Sequence, residues 1–236
     1  MTSKVVPLNK EQHKNLKLIP KINFGRFENM NSTTIAFQEF PMAAVELPIV
    51  FVKGKDGETV CVVLMGDKEP KNHYLLDGNP RGNFIPAAFS HYPLGITSNP
   101  ENRDQIGILI DESSEFVSET EGEALFKEDG SETDYLQGRV QAMINYYNSM
   151  RSMKNFVDAL LQHELLVPQG VKYGKDGVEN EISGFFVVDE KKLSELSSDV
   201  HEDFRKKGFT PLIYAHLISL NNLNKLASYV GLEGKA

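Results

Sequence analysis

Six histidines are the side chains best suited to chemistry in this 236-residue chain, and none of them shows a spacing typical of a metal site. They occur singly, without a His-x-His or His-Glu-x-x-His pattern, at His13, His73, His91, His163, His201 and His216. A zinc-type centre would therefore need ligands from distant parts of the chain. We predict neither a metal nor a cofactor.

His216 is the most informative single histidine, because it lies in an apolar stretch and Ser219 follows three residues later. We interpret it first as a core histidine whose ring bonds to that hydroxyl or to a backbone carbonyl. The alternatives are a ligand-contacting residue and a catalytic base. Under these alternatives, the site would be an enzyme or small-molecule pocket in which Tyr92 and His91 or Asp111 converge on His216.

Other catalytic patterns find little support. The single cysteine, Cys61, lies in an apolar run and is expected to be buried and inert. The chain has neither a Gly-x-Ser-x-Gly elbow nor a glycine-rich phosphate loop. Residues 129–134 resemble a calcium loop but lack its glycine spacing and final Glu, so Ser131 or Thr133 is interpreted as a helix cap. These patterns favour a non-catalytic protein over an enzyme.

Aromatic residues suggest a binding role instead. They are concentrated near predicted sheet and helix faces, where they either fill the core or line a groove for a peptide or small apolar ligand. The ligand-binding candidates are Phe84, His91, Tyr92, Asp111, Tyr214, His216 and Ser219.

Composition limits the class of partner and the compartment. The chain has 25 Lys and Arg against 33 Asp and Glu, a net charge of −8, which argues against a nucleic-acid binder. Twelve of the acids fall in residues 101–134, where they favour solubility or, alternatively, a basic partner. Lysines interrupt the first 18 residues, and no apolar run approaches the roughly 20 residues of a membrane span, so we predict no signal peptide, no membrane insertion and a cytoplasmic location.

The elements that would position these residues belong to an α+β protein with a mainly antiparallel sheet, helices on one side and a C-terminal strand and helix segment. We expect an irregular arm over residues 1–29, a β-rich part over 30–130 and a helical C-terminal part over 131–236, the last two forming one compact unit. Strands over 45–52 and 59–65 form a hairpin with Asp56-Gly57 at its turn.

The C-terminal part begins with amphipathic periodicity over residues 136–161, which predicts two helices or one bent helix broken near Ser149 to Ser152. A strand over 182–188 follows, and Asp189 and Ser198 are predicted to cap short helices. Residues 209–217 are predicted to be a strand or an extended segment and residues 219–230 a last helix.

The order of several short motifs resembles that of the SapC family, named for a gene associated with bacterial surface layers. The matching residues are Pro48-Ile49-Val50-Phe51, Phe84-Ile85-Pro86-Ala87, Tyr92-Pro93-Leu94, Ile110-Asp111, Gly122, Leu125-Phe126, Asp129-Gly130, Phe156, Leu160, Leu165-Leu166, Gly184, Asp189, Tyr214-Ala215-His216-Leu217 and Ser219. The resemblance covers about residues 30 to 225 and implies a bacterial protein. It implies no catalytic residues.

Three functional hypotheses follow. The first is an accessory protein that binds a protein or peptide partner, with a homodimer as one form. The second is a small-molecule- or metal-dependent enzyme centred on His216. The third, implied by the family name alone, is a surface-layer-associated component.

Overall fold

Helices and antiparallel strands are mixed throughout the computed structural model, which describes residues 4–98, 106–175 and 178–233. The predicted α+β class is therefore confirmed. In the described ranges the strands are β1 (Val5–Pro7), β2 (Lys17–Leu18), β3 (Ser32–Thr34), β4 (Ile49–Lys53), β5 (Thr59–Leu64), β6 (Leu75–Leu76), β7 (Asn79–Pro80), β8 (Leu94–Ser98), β9 (Ile106–Asp111), β10 (Val117–Ser118), β11 (Glu123–Ala124), β12 (Leu166–Lys175) and β13 (Val178–Val188). The helices are α1 (Phe40–Glu46), α2 (Ala87–Ser90), α3 (Asp134–Gln162), α4 (Glu190–Ser194), α5 (Ser198–Lys206), α6 (Phe209–Ser219) and α7 (Asn222–Glu233), with 3-10 helices at Phe24–Phe27 and Phe37–Glu39.

The chain forms two compact units, each built from two separate stretches. The first unit combines Met1–Asn23 with Ala88–Asn148, and the second combines Phe24–Ala87 with Ser149–Ala236. The predicted parts, with boundaries at residues 29 and 130, are instead continuous stretches of the chain. That division stays a prediction.

The first unit contains two small antiparallel sheets, ordered β1-β9-β8 and β10-β2-β11. Residues 1–29 were expected to be irregular, but they supply an edge strand to one sheet and the central strand to the other. Strands of two or three residues are too short to show an alternating pattern in the sequence. The core of this unit contains Leu18, Ile110 and Leu125 with Leu136 and Met143 of α3.

Helix α3 begins at a threonine cap and continues without a break. The Thr133 hydroxyl oxygen accepts a hydrogen bond from the Leu136 backbone N–H at 3.2 Å, which confirms the predicted cap. Of the two predicted alternatives, two separate helices are wrong, because α3 is continuous over 29 residues. Ser149 lies within α3, and its hydroxyl accepts the Phe37 backbone N–H at 2.8 Å.

The second unit is organised around a five-stranded antiparallel sheet with the order β12-β13-β4-β5-β3. The predicted β4–β5 hairpin is confirmed, and Gly57 at its turn has a φ of +78°, a conformation that favours glycine. Its first strand is shorter than the predicted range of 45–52. Residues up to Glu46 belong to α1, and Pro48 keeps Leu47 in an extended conformation, so the strand begins only at Ile49.

Helices pack against both faces of this sheet, whereas the sequence predicted helices on one side only. On one face, Val50 and Val62 pack with Leu223 and Leu226 of α7. Side chains alternate between faces along a strand, so Phe51 points the opposite way. The Phe51 ring there contacts Phe156 of α3 at a centroid distance of 6.1 Å and His216 of α6 at 5.1 Å.

The predicted strand or extended segment over residues 209–217 is instead helix α6, and this prediction was wrong. Gly208, with a φ of +72°, separates α6 from α5, and Pro211 lies in the first turn, where its missing N–H costs no helical hydrogen bond. Because α6 has no charged residue and its outward Tyr214 and Ile218 are as apolar as its buried side, the sequence lacks the polar face that reveals a helical period. The predicted last helix over residues 219–230 begins later than expected, because Ser219 is the last residue of α6 and α7 begins at Asn222.

Two further boundaries follow from proline and capping chemistry. The strand β12 runs through Pro168 and Gly170, which it tolerates because it is an edge strand with a register shift between Gln169 and Val171. The Asp189 cap is confirmed by hydrogen bonds from the Lys191 and Lys192 backbone N–H groups. The next cap is Ser197, one residue before the predicted Ser198.

Candidate functional site

Both ring nitrogens of His216 are engaged in hydrogen bonds inside the second unit. The Val188 backbone N–H donates to Nε2 at 3.0 Å, so Nε2 carries no proton and Nδ1 donates to the carbonyl oxygen of Ile49 at 2.7 Å. The residue is fully buried, and burial lowers the pKa of its imidazole to about 4. At neutral pH the ring is therefore uncharged and offers no free nitrogen to a metal or a substrate proton.

Ser219 completes the same arrangement and does not contact the ring through a hydrogen bond. Its hydroxyl accepts the Ile49 backbone N–H at 2.9 Å and donates to the His216 carbonyl oxygen at 2.5 Å. The first residue of β4 thus has its N–H bound by Ser219 and its C=O bound by His216. This geometry matches the interpretation of His216 as a core histidine bonded to a backbone carbonyl. It indicates a structural role, in which α6 holds the start of β4.

Asp111, in the first unit, is a buried carboxylate that organises a chain turn. Its Oδ1 accepts hydrogen bonds from the Lys4 backbone N–H at 3.0 Å and from the Ser113 N–H and hydroxyl at 3.1 and 2.5 Å. The Tyr92 hydroxyl donates to Oδ2 at 3.2 Å. The structure therefore brings Tyr92 and Asp111 together, as one of the sequence hypotheses required.

His91 immediately precedes Tyr92 in the chain and differs from the other candidates in one of its ring nitrogens. Its ring contacts Tyr146 edge-on at 5.2 Å, while Arg139 donates to the carbonyl oxygens of Ser90 and His91 at 3.0 and 2.9 Å. Burial, with a smaller contribution from the Arg139 charge, lowers the pKa of His91. Its Nε2 is buried and has no hydrogen-bond partner among the described residues.

The seven predicted candidates divide between the two units. His91, Tyr92 and Asp111 belong to the first, and Phe84, Tyr214, His216 and Ser219 to the second. The proposed convergence of the first group on His216 stays a prediction. Phe84 is buried, whereas the Tyr214 side chain is 57% exposed and free to contact another molecule.

Two glutamates of the second unit, which sequence reasoning missed, hold the segment that contains Phe84. Glu39 accepts the Ala36 and Ala87 backbone N–H groups, each at 2.7 Å. Glu46 accepts the Asn83 and Phe84 N–H groups at 2.9 and 3.0 Å and a short hydrogen bond from the Tyr74 hydroxyl. The signal available in the sequence was the pair of carboxylates flanking an otherwise apolar helix.

Burial affects these two carboxylates differently. Burial raises the pKa of Glu39 and outweighs its two backbone hydrogen bonds. Burial also acts to raise the pKa of Glu46, but the hydrogen bonds from Tyr74, Phe84 and Asn83 outweigh it and lower that pKa. Glu46 is therefore held as a carboxylate by donors of its own unit.

The acidic segment of the first unit contacts the chain's own N-terminal residues. The Glu112 carboxylate pairs with the Lys4 ammonium at 2.5 Å and with the Nε2 of buried His13 at 3.0 Å. Further along, the Lys17 ammonium donates to the Thr120 carbonyl oxygen at 3.2 Å. These contacts partly neutralise the negative segment that a basic partner would have to recognise.

The most distinctive surface of the second unit is an apolar one formed by α1 and α6. The two helices pack side by side, and both contact β4. Their outward side chains, which we call the α1–α6 face, are Pro41, Met42, Val45, Pro211, Tyr214 and Ile218. Ile218 is 63% exposed and Val45 is 70% exposed. Helix α6 has no Asp, Glu, Lys or Arg among its 11 residues, and Glu46 is the only one on α1.

A surface helix of a soluble domain normally presents charged or polar residues to water, and a helix that is apolar all round is normally covered. The buried stripe of α6 includes Phe209, Leu212 and Ile213. Its opposite stripe, with Tyr214 and Ile218, is also apolar but is uncovered in this chain. The side of α6 that faces away from the sheet therefore exposes apolar side chains to solvent.

The described residues show neither a metal-binding cluster nor a membrane-spanning helix. Within residues 4–98, 106–175 and 178–233, His, Cys, Asp and Glu side chains nowhere form a group of three or more that would suit a metal ion. Over the same part of the chain, no helix combines the length and apolar character needed to cross a membrane. The Cys61 thiol is buried, and burial raises its pKa, as expected for an inert cysteine.

The chain matches a known protein family over most of its length. The family model described as SapC matches residues 8–226 of this chain. No curated protein and no solved structure matches it.

Proposed function

We propose that this chain, which belongs to the SapC family, is a non-catalytic accessory protein that binds a partner protein through the α1–α6 face. The observation that carries the proposal is the uncharged helix α6, whose outward residues Tyr214 and Ile218 are both more than half exposed. Family membership brings no reaction with it, so the proposal depends on this surface.

The chemistry of the face indicates the chemistry of the partner. The one ionisable side chain on α1, Glu46, is bound by Tyr74 and by backbone N–H groups of its own unit. A strongly charged ligand would therefore find no counter-charge on either helix. The complementary partner presents an uncharged apolar surface, with aromatic or aliphatic side chains that pack against Tyr214 and Ile218.

A different protein fits this face better than a second copy of the chain. Each copy carries a net charge of −8, so self-association brings like charges together, whereas a partner of lower or opposite charge avoids this cost. The homodimer is retained as an outcome that the experiment distinguishes.

The alternative enzyme centred on His216 lacks support from the geometry. Catalysis by this ring requires a nitrogen that can take up or release a proton near a substrate. Both nitrogens are bound to backbone groups, of Val188 and Ile49, and the residue is fully buried.

The test compares one face variant with a matched control. Ile218→Asp places a charge on the face. Leu76→Asp places the same charge on an exposed aliphatic residue outside the face, where Leu76 is 49% exposed. Tagged wild-type protein and both variants are used to recover binding proteins from cells that naturally express the chain. A protein that distinguishes them is identified by mass spectrometry, purified and titrated by calorimetry.

We expect the purified partner to bind the wild type and Leu76→Asp alike and to bind Ile218→Asp at least about tenfold more weakly, as for loss of a central apolar contact. Equal binding to all three proteins, or no protein that distinguishes them, contradicts the proposal. Sedimentation showing a wild-type dimer that Ile218→Asp converts to a monomer also contradicts it, because the occupant would then be a second copy.

The cytoplasmic location belongs to the same proposal. Fractionation of the natural host, followed by immunodetection, is expected to recover the chain with cytoplasmic marker proteins. Recovery at the cell surface would instead favour the surface-layer role suggested by the family name.

A further inference from the structure

A cavity of about 360 Å³ lies within the second unit, between the β4–β5 hairpin and the later part of α3. The strand side contributes Thr59 and Cys61, and the helix side contributes Met150, Met153 and Val157. The cavity does not involve the α1–α6 face, so it is a separate candidate site.

The cavity exists because large side chains stop short of the hairpin's end. Phe51 fills the space between sheet and helix by contacting Phe156 at 6.1 Å. Its cross-strand neighbour on the same face is the small Cys61, and the next pair toward the turn is Lys53 with Thr59. The Lys53 ammonium donates to the Thr59 hydroxyl at 2.9 Å, so this pair places no large apolar side chain, such as Phe51, in the gap.

Methionines make the helix side adaptable. Met150 and Met153 have unbranched, polarisable side chains that adjust to ligands of different shape. Leu161, 42% exposed, lies at the opening and extends the apolar surface outward.

The size and charge of the cavity restrict its occupant. An engineered apolar cavity of about 150 Å³ is large enough to bind benzene, so this one accommodates a molecule of about twice that bulk. The charged lining residues are two lysines, Lys53 and Lys154, and two acids, Glu58 and Asp158. The Lys154 and Asp158 side chains pair with each other at 2.8 Å, and the four charges sum to zero.

We propose that this cavity binds a small, uncharged, apolar molecule with between about two and three times the bulk of benzene. A charged molecule gains from one pair of lining charges what it loses to the other. An uncharged molecule buries its surface against Met150, Met153 and Val157 without leaving a charge unpaired.

Two dyes that share a ring system test the size and the charge together. N-phenyl-1-naphthylamine is uncharged and fluoresces more strongly in apolar surroundings, whereas anilinonaphthalene sulfonate carries an added sulfonate. We expect saturable binding of the uncharged dye to the intact chain and binding of the sulfonate at least about tenfold weaker, because its charge must be desolvated.

Cavity-filling variants locate the dye. Met150→Trp fills the cavity from α3, and Leu161→Trp, at an exposed position, obstructs the opening with little risk to folding. Leu76→Trp is the matched control for Leu161→Trp, since it makes the same substitution at an exposed leucine outside both the cavity and the α1–α6 face. The first two variants are expected to weaken binding of the uncharged dye by about tenfold or more through steric exclusion, and Leu76→Trp to leave it unchanged.

Several results would overturn the proposal. Absence of saturable binding of the uncharged dye to the wild type would do so, as would equal or tighter binding of the sulfonate. Binding that survives Met150→Trp and Leu161→Trp in folded protein, verified by circular dichroism, would place the dye elsewhere. Loss of binding in Ile218→Asp alone would assign the dye to the α1–α6 face.

Discussion

His216 and Ile49 are joined by a buried hydrogen bond of 2.7 Å, from the imidazole Nδ1 of the one to the carbonyl oxygen of the other, although 167 residues separate them in the chain. Ser219 binds the N–H of the same Ile49 at 2.9 Å. One turn of α6 therefore supplies both partners for the backbone at the start of β4, which would otherwise be buried without hydrogen bonds.

Acidification should destabilise the chain through His216. Its pKa is lowered from about 6.5 in the unfolded chain to about 4 in the fold, so the unfolded state takes up a proton first as the pH falls. This stability is fully present above about pH 6.5 and is lost progressively down to about pH 4, with a total of about 3 kcal/mol. Urea unfolding at a series of pH values measures the loss.

The contribution of His216 is isolated by comparing slopes. His216→Gln lowers the free energy of unfolding at pH 7 but should show a shallower decline between pH 6.5 and 4 than the wild type. His201→Gln, at an exposed histidine, serves as the control and should retain the wild-type slope. A His216→Gln slope equal to that of the wild type would refute the assignment.

Glu46 should contribute more to stability than its partly exposed position suggests. Glu46→Ala removes the acceptor for the Tyr74 hydroxyl and for the Asn83 and Phe84 N–H groups, and should lower the free energy of unfolding by about 2 kcal/mol. Tyr74→Phe removes one of these donors and should cost about 1 kcal/mol. Denaturant titration at pH 7 gives both values. Glu58→Ala, on the exposed hairpin turn, is the control, and a Glu46→Ala loss no larger than its loss would contradict the prediction.

Ser149→Ala tests whether the Ser149 hydroxyl contributes to stability without shaping α3. The Ser149 hydroxyl accepts the Phe37 N–H, and its removal leaves that donor without this partner, so we expect a loss of about 1 kcal/mol with the helix content unchanged. Far-ultraviolet circular dichroism and urea unfolding measure the two quantities. Ser228→Ala, on an exposed serine of α7, should lose much less, and a fall in helix content in Ser149→Ala would show that the serine shapes the helix itself.

Charges on the α1–α6 face should affect binding but not folding. Tyr214→Asp and Ile218→Asp replace exposed side chains, so their free energies of unfolding should stay within about 0.5 kcal/mol of the wild type. Leu212→Asp, on the buried stripe of the same helix, is the contrasting variant and should be severely destabilised. Thermal melting measures all three, and a large loss of stability in Ile218→Asp would show that this side chain is covered within the chain itself.

The elements predicted correctly are those whose signals are local. The β4–β5 hairpin carries Asp56-Gly57 at its turn, and the Asp189 and Thr133 caps precede their helices directly. Helix α6 was missed because Tyr214 and Ile218 give its outward side the same apolar character as its buried side. The surface property that suggests binding is thus also what concealed the helix.

The candidate site was predictable only in part. His216 was expected to satisfy its ring with a hydroxyl or a backbone carbonyl, and it contacts the carbonyl of Ile49. The identity of that carbonyl depends on how α6 lies on β4, which no local pattern encodes. The roles of Glu39 and Glu46 were missed for the same reason, since their partners include backbone groups up to 48 residues away.

Each unit is built from two separate stretches of the chain, which affects folding during synthesis on the ribosome. The strand β1 pairs with β9, so Val5 meets its partner Asp111 only after more than a hundred further residues have been translated. The whole stretch from Phe24 to Ala87, which belongs to the other unit, is made in between. A nascent chain halted before β9 leaves β1 unpaired, and neither unit can be excised as one continuous fragment.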